Sequence, residues 1–126
     1  MKIENEIKLD FDDVLLVPQR SKSASRKLVN LQRQFKFYHS DREWTGIPIM
    51  ASNMDTIGTL AMAHELSKQH IITCLHKYYG VRKFLALDHL PFAMYTWYSL
   101  GIKNIEFDNL CELVDKTHVV PNICID

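Results

Sequence analysis

Four short apolar runs decide the fold of this chain: Ile47-Pro-Ile-Met-Ala-Ser52, Ile71-Ile-Thr-Cys-Leu-His76, Phe92-Ala-Met-Tyr-Thr-Trp-Tyr98 and Asn122-Ile-Cys-Ile-Asp126. Each is brief, rich in β-branched or aromatic residues, and apolar at consecutive positions, the pattern of a strand covered on both faces. Between them lie stretches with helical spacing. Leu60, Ala63 and Leu66 share one face behind Thr59, whose hydroxyl suits an N-cap, and Val81, Phe84 and Leu85 form a shorter stripe. The third helix is the clearest. Asn104 is placed to cap it, Glu106 and Asp108 fall in a first turn where the helix dipole favours acids, and Phe107, Leu110, Cys111 and Val114 form the stripe expected to be buried. Strands alternating with helices predict a parallel sheet covered on both sides, in the order β-α-β-α-β-α-β. Strand starts recur after 24, 21 and 30 residues, a spacing that suits a TIM barrel or a doubly wound sheet.

Residues 1–46 precede this pattern and have no helical period. Val14-Leu-Leu-Val17 ends at Pro18, a basic segment follows, and the alternation of Leu31, Phe35 and Phe37 predicts a short hairpin. The expected division is therefore an N-terminal extension, 1–46, and a strand–helix region, 47–126. The last run ends the chain on a strand with no helix to cover it. An open parallel sheet is a poor stopping point, so the pattern predicts a fragment.

The composition fits an ordinary folded chain. Of 126 residues 47% are hydrophobic, with only four glycines and four prolines, which excludes disordered and fibrous classes. No run approaches the roughly 18–20 apolar residues of a membrane span, and the start, MKIENEIKLDFDD, is too charged for a secretion signal, so a cytoplasmic address without membrane association is expected. Cys74, Cys111 and Cys124 have no CxxC spacing and read as reduced, mostly buried thiols. Fifteen basic groups balance fifteen acidic ones, which argues against a general polyanion binder. The balance is uneven, however: six basic groups and no acid lie between Arg20 and Lys36, either an anion site or a solvated loop. That segment has no aromatic residue before Phe35, so nucleic-acid binding is not expected.

In such folds chemistry sits at the carboxyl ends of strands. Ser52-Asn-Met-Asp-Thr56, His76-Lys-Tyr-Tyr79, Ser99-Leu-Gly101 and Asp126 occupy those ends. Each has a bland alternative: Ser52 and Asn53 can cap a helix, Asp55 can be a first-turn acid, His76 can be a hydrogen-bonded core residue, and Tyr78 and Tyr79 can be packing. Lys77 is the least comfortable as scaffold, because a lysine at a strand end is more readily an anion or cofactor ligand. Cys74 and His76 share a strand face, but no second pair with ligand spacing follows, so no metal is expected. Neither a dinucleotide fingerprint, a P-loop nor a nucleophile elbow is present. Without a family, the residues support part of an α/β enzyme whose active face lies near Ser52, Lys77 and Asp126.

Several separated motifs then resemble one family. Leu9-Asp-Phe-Asp-Asp-Val-Leu-Leu-Val-Pro-Gln-Arg-Ser21, Ser25-Arg26, Gly46-Ile-Pro-Ile-Met-Ala-Ser-Asn-Met-Asp-Thr56, Leu75-His-Lys-Tyr-Tyr79 and Cys124-Ile-Asp126 are similar, in order, to the N-terminal part of GMP reductases in the IMP dehydrogenase/GMP reductase family. The resemblance implies the N-terminal half of a TIM (β/α)8 barrel, with about four parallel strands behind an irregular, hairpin-bearing extension. It implies NADPH-dependent conversion of GMP to IMP and ammonia, a homotetramer, and a cofactor site shared with a neighbouring subunit. Ser25 and Arg26 correspond to the pair that reaches the cofactor from the neighbouring subunit, and an arginine fork suits a phosphate. Lys77 and Asp126 correspond to cofactor contacts near the reacting centre, and Ser52 and Met54 to the nucleotide pocket. The family's nucleophile is a cysteine in a later G-x-G-x-x-C-T loop. That loop is not in this sequence, so no catalytic residue is assigned here. Some reductases carry a threonine after the glycine equivalent to Gly101, where this chain has Ile102, which puts a hydroxyl-assisted step at that loop in doubt.

Two alternatives accompany this reading. An IMP dehydrogenase would oxidise IMP with NAD, but such enzymes typically carry S-P-M-D where Ser52-Asn-Met-Asp55 stands. They also usually insert a regulatory domain where this chain passes from Lys77 to the next strand within about 15 residues. The other alternative is a catalytically inactive fragment, since a barrel needs eight strands and about 250 residues.

Overall fold

The four apolar runs pair as one parallel sheet in the computed structural model, which describes residues 3–86 and 93–126. Their region opens with a hairpin, β1 (Arg33–Lys36) antiparallel to β2 (Glu43–Gly46), in which Phe35 stacks on Trp44. There follow β3 (Met50–Ala51), α1 (Leu60–Ser67), β4 (Ile72–Cys74), α2 (Val81–Leu85), a 3-10 turn (Ala93–Tyr95), β5 (Thr96–Leu100), α3 (Asn104–Thr117) and β6 (Ile123–Ile125). The sheet order β3-β4-β5-β6 follows the sequence, and all its pairings are parallel. By contact the chain divides into two units, Met1–Asn30 and Leu31–Asp126. The first has extended backbone and two 3-10 turns. Asp10 caps Phe11–Asp13 through a hydrogen bond from the Phe11 N–H, and Ser25 caps Arg26–Leu28.

Side-chain alternation sorts the strands into two faces. Leu75, just past β4, packs on Ala63 of α1, while Tyr98 and Leu100 of β5 pack on Val81 and Leu113 beneath α2 and α3. Thr73 and Thr96 share that helix-covered side and are fully enclosed. Ile72, Cys74, Trp97, Ser99 and Cys124 therefore point to the opposite face. There Ile72 and Trp97 meet Phe35 and Trp44 around an apolar cavity of about 210 Å³.

Several expectations need correction. The third strand begins at Thr96 rather than Phe92, which lies outside the described residues, and it continues to Leu100. Ala93–Tyr95 is wound into a 3-10 turn before it. Ser99 and Leu100, read from sequence as a loop, are thus buried strand residues. Asn104 is the first residue of α3 and not its cap: Lys103 takes the cap position, and its N–H donates to the Glu106 carboxylate at 3.2 Å. The buried stripe of α3 is also rotated. Leu113, absent from the expected stripe, has no exposed surface, Leu110 and Val114 are half-buried, and Phe107 and Cys111 face outward. The sequence offers two adjacent apolar arcs on this helix, and packing against α2 and β5 selects the one through Leu110 and Leu113. Of the thiols only Cys74 is buried; Cys124 is half-buried and Cys111 is exposed. Thr59 does cap α1, its hydroxyl accepting the Met62 N–H at 3.2 Å.

Candidate functional site at the carboxyl ends of the strands

Two loops at the ends of β3 and β4 are built as one piece. After β3, the Met54 carbonyl accepts the N–H groups of Ile57 and Gly58 at 2.9 and 2.7 Å, closing a tight turn that leaves Ser52, Met54 and Asp55 exposed. The turn lies directly on β4. The His76 N–H donates to the Gly58 carbonyl at 2.9 Å. A Cβ at Gly58 would stand 2.8 Å from the His76 nitrogen, 3.0 Å from the Ser52 carbonyl oxygen and closer still to that of Cys74. Only glycine lets the loop approach the strand this closely.

The second loop is fastened from its other side. His76 is half-buried, and its ring stacks on Tyr79 with centroids 4.2 Å apart and leans on Tyr78 at 5.8 Å. The Tyr79 hydroxyl accepts the N–H of Leu60, the first residue of α1, at 3.2 Å, and Lys83 lies 5.4 Å from the Tyr79 ring centroid. Packing alone does not describe Tyr79, because its hydroxyl ties its loop to the first residue of α1.

Lys77, beside His76, reaches toward Asp126 at the end of β6. Their Nζ and Oδ2 atoms are 3.8 Å apart, and both side chains are about half exposed. These two sequence-assigned residues therefore meet across β5. Ser52 and Met54 belong to the loop tied to the residue preceding Lys77. At the end of β5, the Glu106 carboxylate sits over Gly101, and Ile102 is exposed. Ser25 and Arg26 lie in the first unit. The Ser25 hydroxyl accepts the Lys27 N–H at 3.3 Å, and the Arg26 side chain is exposed.

The buried Cys74 thiol is pushed up to about 12, first by burial and then by the Cys124 thiol beside it. That suits a structural thiol rather than a nucleophile, which must ionise near neutrality. Among the described residues no group of three or more His, Cys, Asp or Glu side chains is arranged to hold a metal.

With this geometry in place, comparison with known proteins is decisive. The family model of the IMP dehydrogenase / GMP reductase domain matches residues 8–86. The chain belongs to the IMP dehydrogenase/GMP reductase family. Its whole length is similar to GMP reductases of Shigella boydii (40% identical) and of Buchnera aphidicola subsp. Schizaphis graminum (42% identical), in each case over 37% of the relative. The chain thus spans a little over one third of the length of these curated relatives. A crystal structure of inosine 5'-monophosphate dehydrogenase from Legionella pneumophila superposes with a TM-score of 0.65 at 25% identity, over 92% of this chain and 34% of that one. The fold is accordingly the N-terminal half of the family's TIM barrel, four parallel strands preceded by a hairpin. The sheet face carrying Cys74, Ser99 and Cys124 is the one turned away from the helices, the side that faces inward in a TIM barrel. Lys77 and Asp126 stand just past the carboxyl ends of β4 and β6, and in TIM-barrel enzymes generally that is the end where chemistry sits. Sequence reasoning missed the Tyr79 bridge and the close fit of Gly58. A glycine followed by a capping threonine was the available signal for the second, and no local pattern announces the first.

Proposed function

We propose that the protein carrying this chain reduces GMP with NADPH, releasing IMP and ammonia. The observation that carries the reading is the Lys77–Asp126 pair. At 3.8 Å the two groups attract but are too far apart for a hydrogen bond, so each keeps its capacity for a ligand. An ammonium donor beside a carboxylate acceptor fits the polar groups around a nicotinamide. The exposed guanidinium of Arg26 suits a phosphate, with Ser25 next to it. When bound, the cofactor supplies hydride. On this chain Lys77 donates to ligand oxygens, Asp126 accepts from ligand N–H or O–H groups and holds the ammonium in place, and Ser52 and Met54 line the nucleotide pocket. The family nucleophile belongs to a loop outside this sequence. The assembly proposed is a cytoplasmic homotetramer with the cofactor site shared between subunits, and the functional boundary lies between the extension 1–46 and the half-barrel 47–126.

Two observations favour the reductase over an IMP dehydrogenase. Asn53 stands where dehydrogenases typically carry proline, and only residues 75–95 separate β4 from β5, too few for an inserted domain. The shared sheet of the Legionella dehydrogenase keeps NAD-dependent oxidation of IMP as the second reading.

The test follows reduced-nicotinamide absorbance with the full-length enzyme. GMP-dependent loss of NADPH is expected, whereas IMP-dependent formation of NADH without it would establish the dehydrogenase. Lys77→Ala should lower kcat/KM at least tenfold while changing stability by no more than about 1 kcal/mol, because a half-exposed ion pair stabilises little. A variant as active as the parent would remove Lys77 from the site. The 126-residue chain assayed alone is expected to be inactive.

A further inference from the structure

We infer that Tyr79 is a positioning residue that sets the loop carrying Lys77 against the loop carrying Ser52 and Met54; the inference rests on the reading of those residues given above. Three contacts join the loops. The His76 N–H bonds the Gly58 carbonyl at 2.9 Å, Gly58 fits against Cys74 and His76 with no room for a side chain, and the Tyr79 hydroxyl accepts the Leu60 N–H at 3.2 Å. The first two lie at the strand end. The third closes the arrangement from beyond Lys77, so that Lys77 is held between two anchors, His76 and Tyr79, whose rings stack on each other at 4.2 Å.

The hydroxyl is not required by packing. Tyr79 is half-buried against Ala63 and Leu75, a place that a phenylalanine ring would fill equally well. Nor does α1 depend on it for a cap, since Thr59 already satisfies the Met62 N–H. Leu60 is at a position whose N–H water ordinarily serves. A tyrosine oxygen from another loop at that point fixes a relationship between loops, the ångström-scale control on which rates depend.

Two variants of the full-length enzyme separate positioning from stability. Tyr79→Phe and Thr59→Ala each remove one hydrogen bond from the start of α1, and each should lower the unfolding midpoint by a similar amount, about 2–4 °C. Only Tyr79→Phe frees the Lys77 loop. It should lower kcat about tenfold and raise the dissociation constant for NADPH alone, read by nicotinamide fluorescence, by more than twofold, because the freed loop carries the cofactor contact Lys77. Thr59→Ala should keep kcat within twofold. A Tyr79→Phe enzyme with parental kcat, or a Thr59→Ala enzyme that loses as much, would overturn the inference. Lys77→Ala tells the two failures apart. If it is impaired and Tyr79→Phe is not, the positioning role alone fails. If Lys77→Ala is fully active, the reading of the site fails and the positioning role falls with it.

Discussion

Gly58→Ala should destabilise the protein, against the usual direction for a glycine of ordinary backbone conformation. Gly58 does not have positive φ, so alanine would be tolerated by its dihedral angles and would stabilise by about 0.4–1 kcal/mol through the unfolded chain. The surroundings reverse the sign. The added carbon would stand 2.8 Å from the His76 nitrogen and 3.0 Å from the Ser52 oxygen, with the Cys74 carbonyl nearer still. All three are backbone atoms, and none can rotate away as the end of a side chain could. Overpacking that moves backbone costs about 1–3 kcal/mol. The displacement also stretches the His76-to-Gly58 hydrogen bond, worth about 0.5–1.5 kcal/mol. Subtracting the entropic gain leaves a net loss of about 2 kcal/mol. Equilibrium urea unfolding followed by far-UV circular dichroism measures it. Gly80→Ser supplies the contrast: nothing lies within 4 Å of its Cβ position, and as the cap of α2 it makes no side-chain hydrogen bond. Serine there should gain a few tenths of a kcal/mol. A Gly58→Ala midpoint equal to or above the parent's would refute the close-approach argument.

The rotated face of α3 and the graded burial of the thiols give further checks. Leu113→Ala should cost about 2–5 kcal/mol because Leu113 is wholly enclosed, whereas Phe107→Ala should fall within about 1 kcal/mol, Phe107 being 60% exposed. The reverse order in urea unfolding would restore the stripe read from sequence. Iodoacetamide at neutral pH should label Cys111 first and Cys74 last, as mapped by peptide mass. The Cys74 thiol, pushed up to about 12 from an ordinary value of 9.0, stays protonated in the folded state after the unfolded chain has lost its proton. Its contribution to stability is therefore complete below about pH 9 and declines as pH rises toward 12, by about 1.4 kcal/mol for each pH unit at most. Cys74→Ala should flatten that alkaline loss relative to the parent, and an unchanged slope would contradict the assignment.

The order of strands and helices was legible in the sequence because each element carries its own period. Thr59, Ala63, Val81 and Phe84 stand where spacing places them. The errors fall where two local solutions compete. Phe92 to Tyr95 is apolar enough for a strand, yet Ala93–Tyr95 forms a turn ahead of Thr96. On α3 the sequence carries apolar residues on two arcs, and only the partner surface of α2 and β5 chooses between them. Asn104 is a better capping side chain than Lys103, but Glu106 three residues after Lys103 closes the cap from the helix side.

The candidate site was legible for a different reason. In a parallel sheet every carboxyl end points the same way, so Lys77 and Asp126 are assigned to one mouth as soon as their strands are. Their actual meeting depends on something no pattern records. β4 and β6 are both neighbours of β5 and not of each other, which separates their backbones by two strand spacings, about 9–10 Å. A gap of that size closes to 3.8 Å only because position 77 carries a long, unbranched stem with its charge at the tip. Charge alone would not suffice there: a short cation would leave Asp126 without its neighbour. An arginine would bring a planar fork in place of a rotatable point charge, changing which ligand atoms the pair can receive. Length and charge at Lys77 are thus both set by the distance across β5, and that distance follows from the strand order the sequence prescribes.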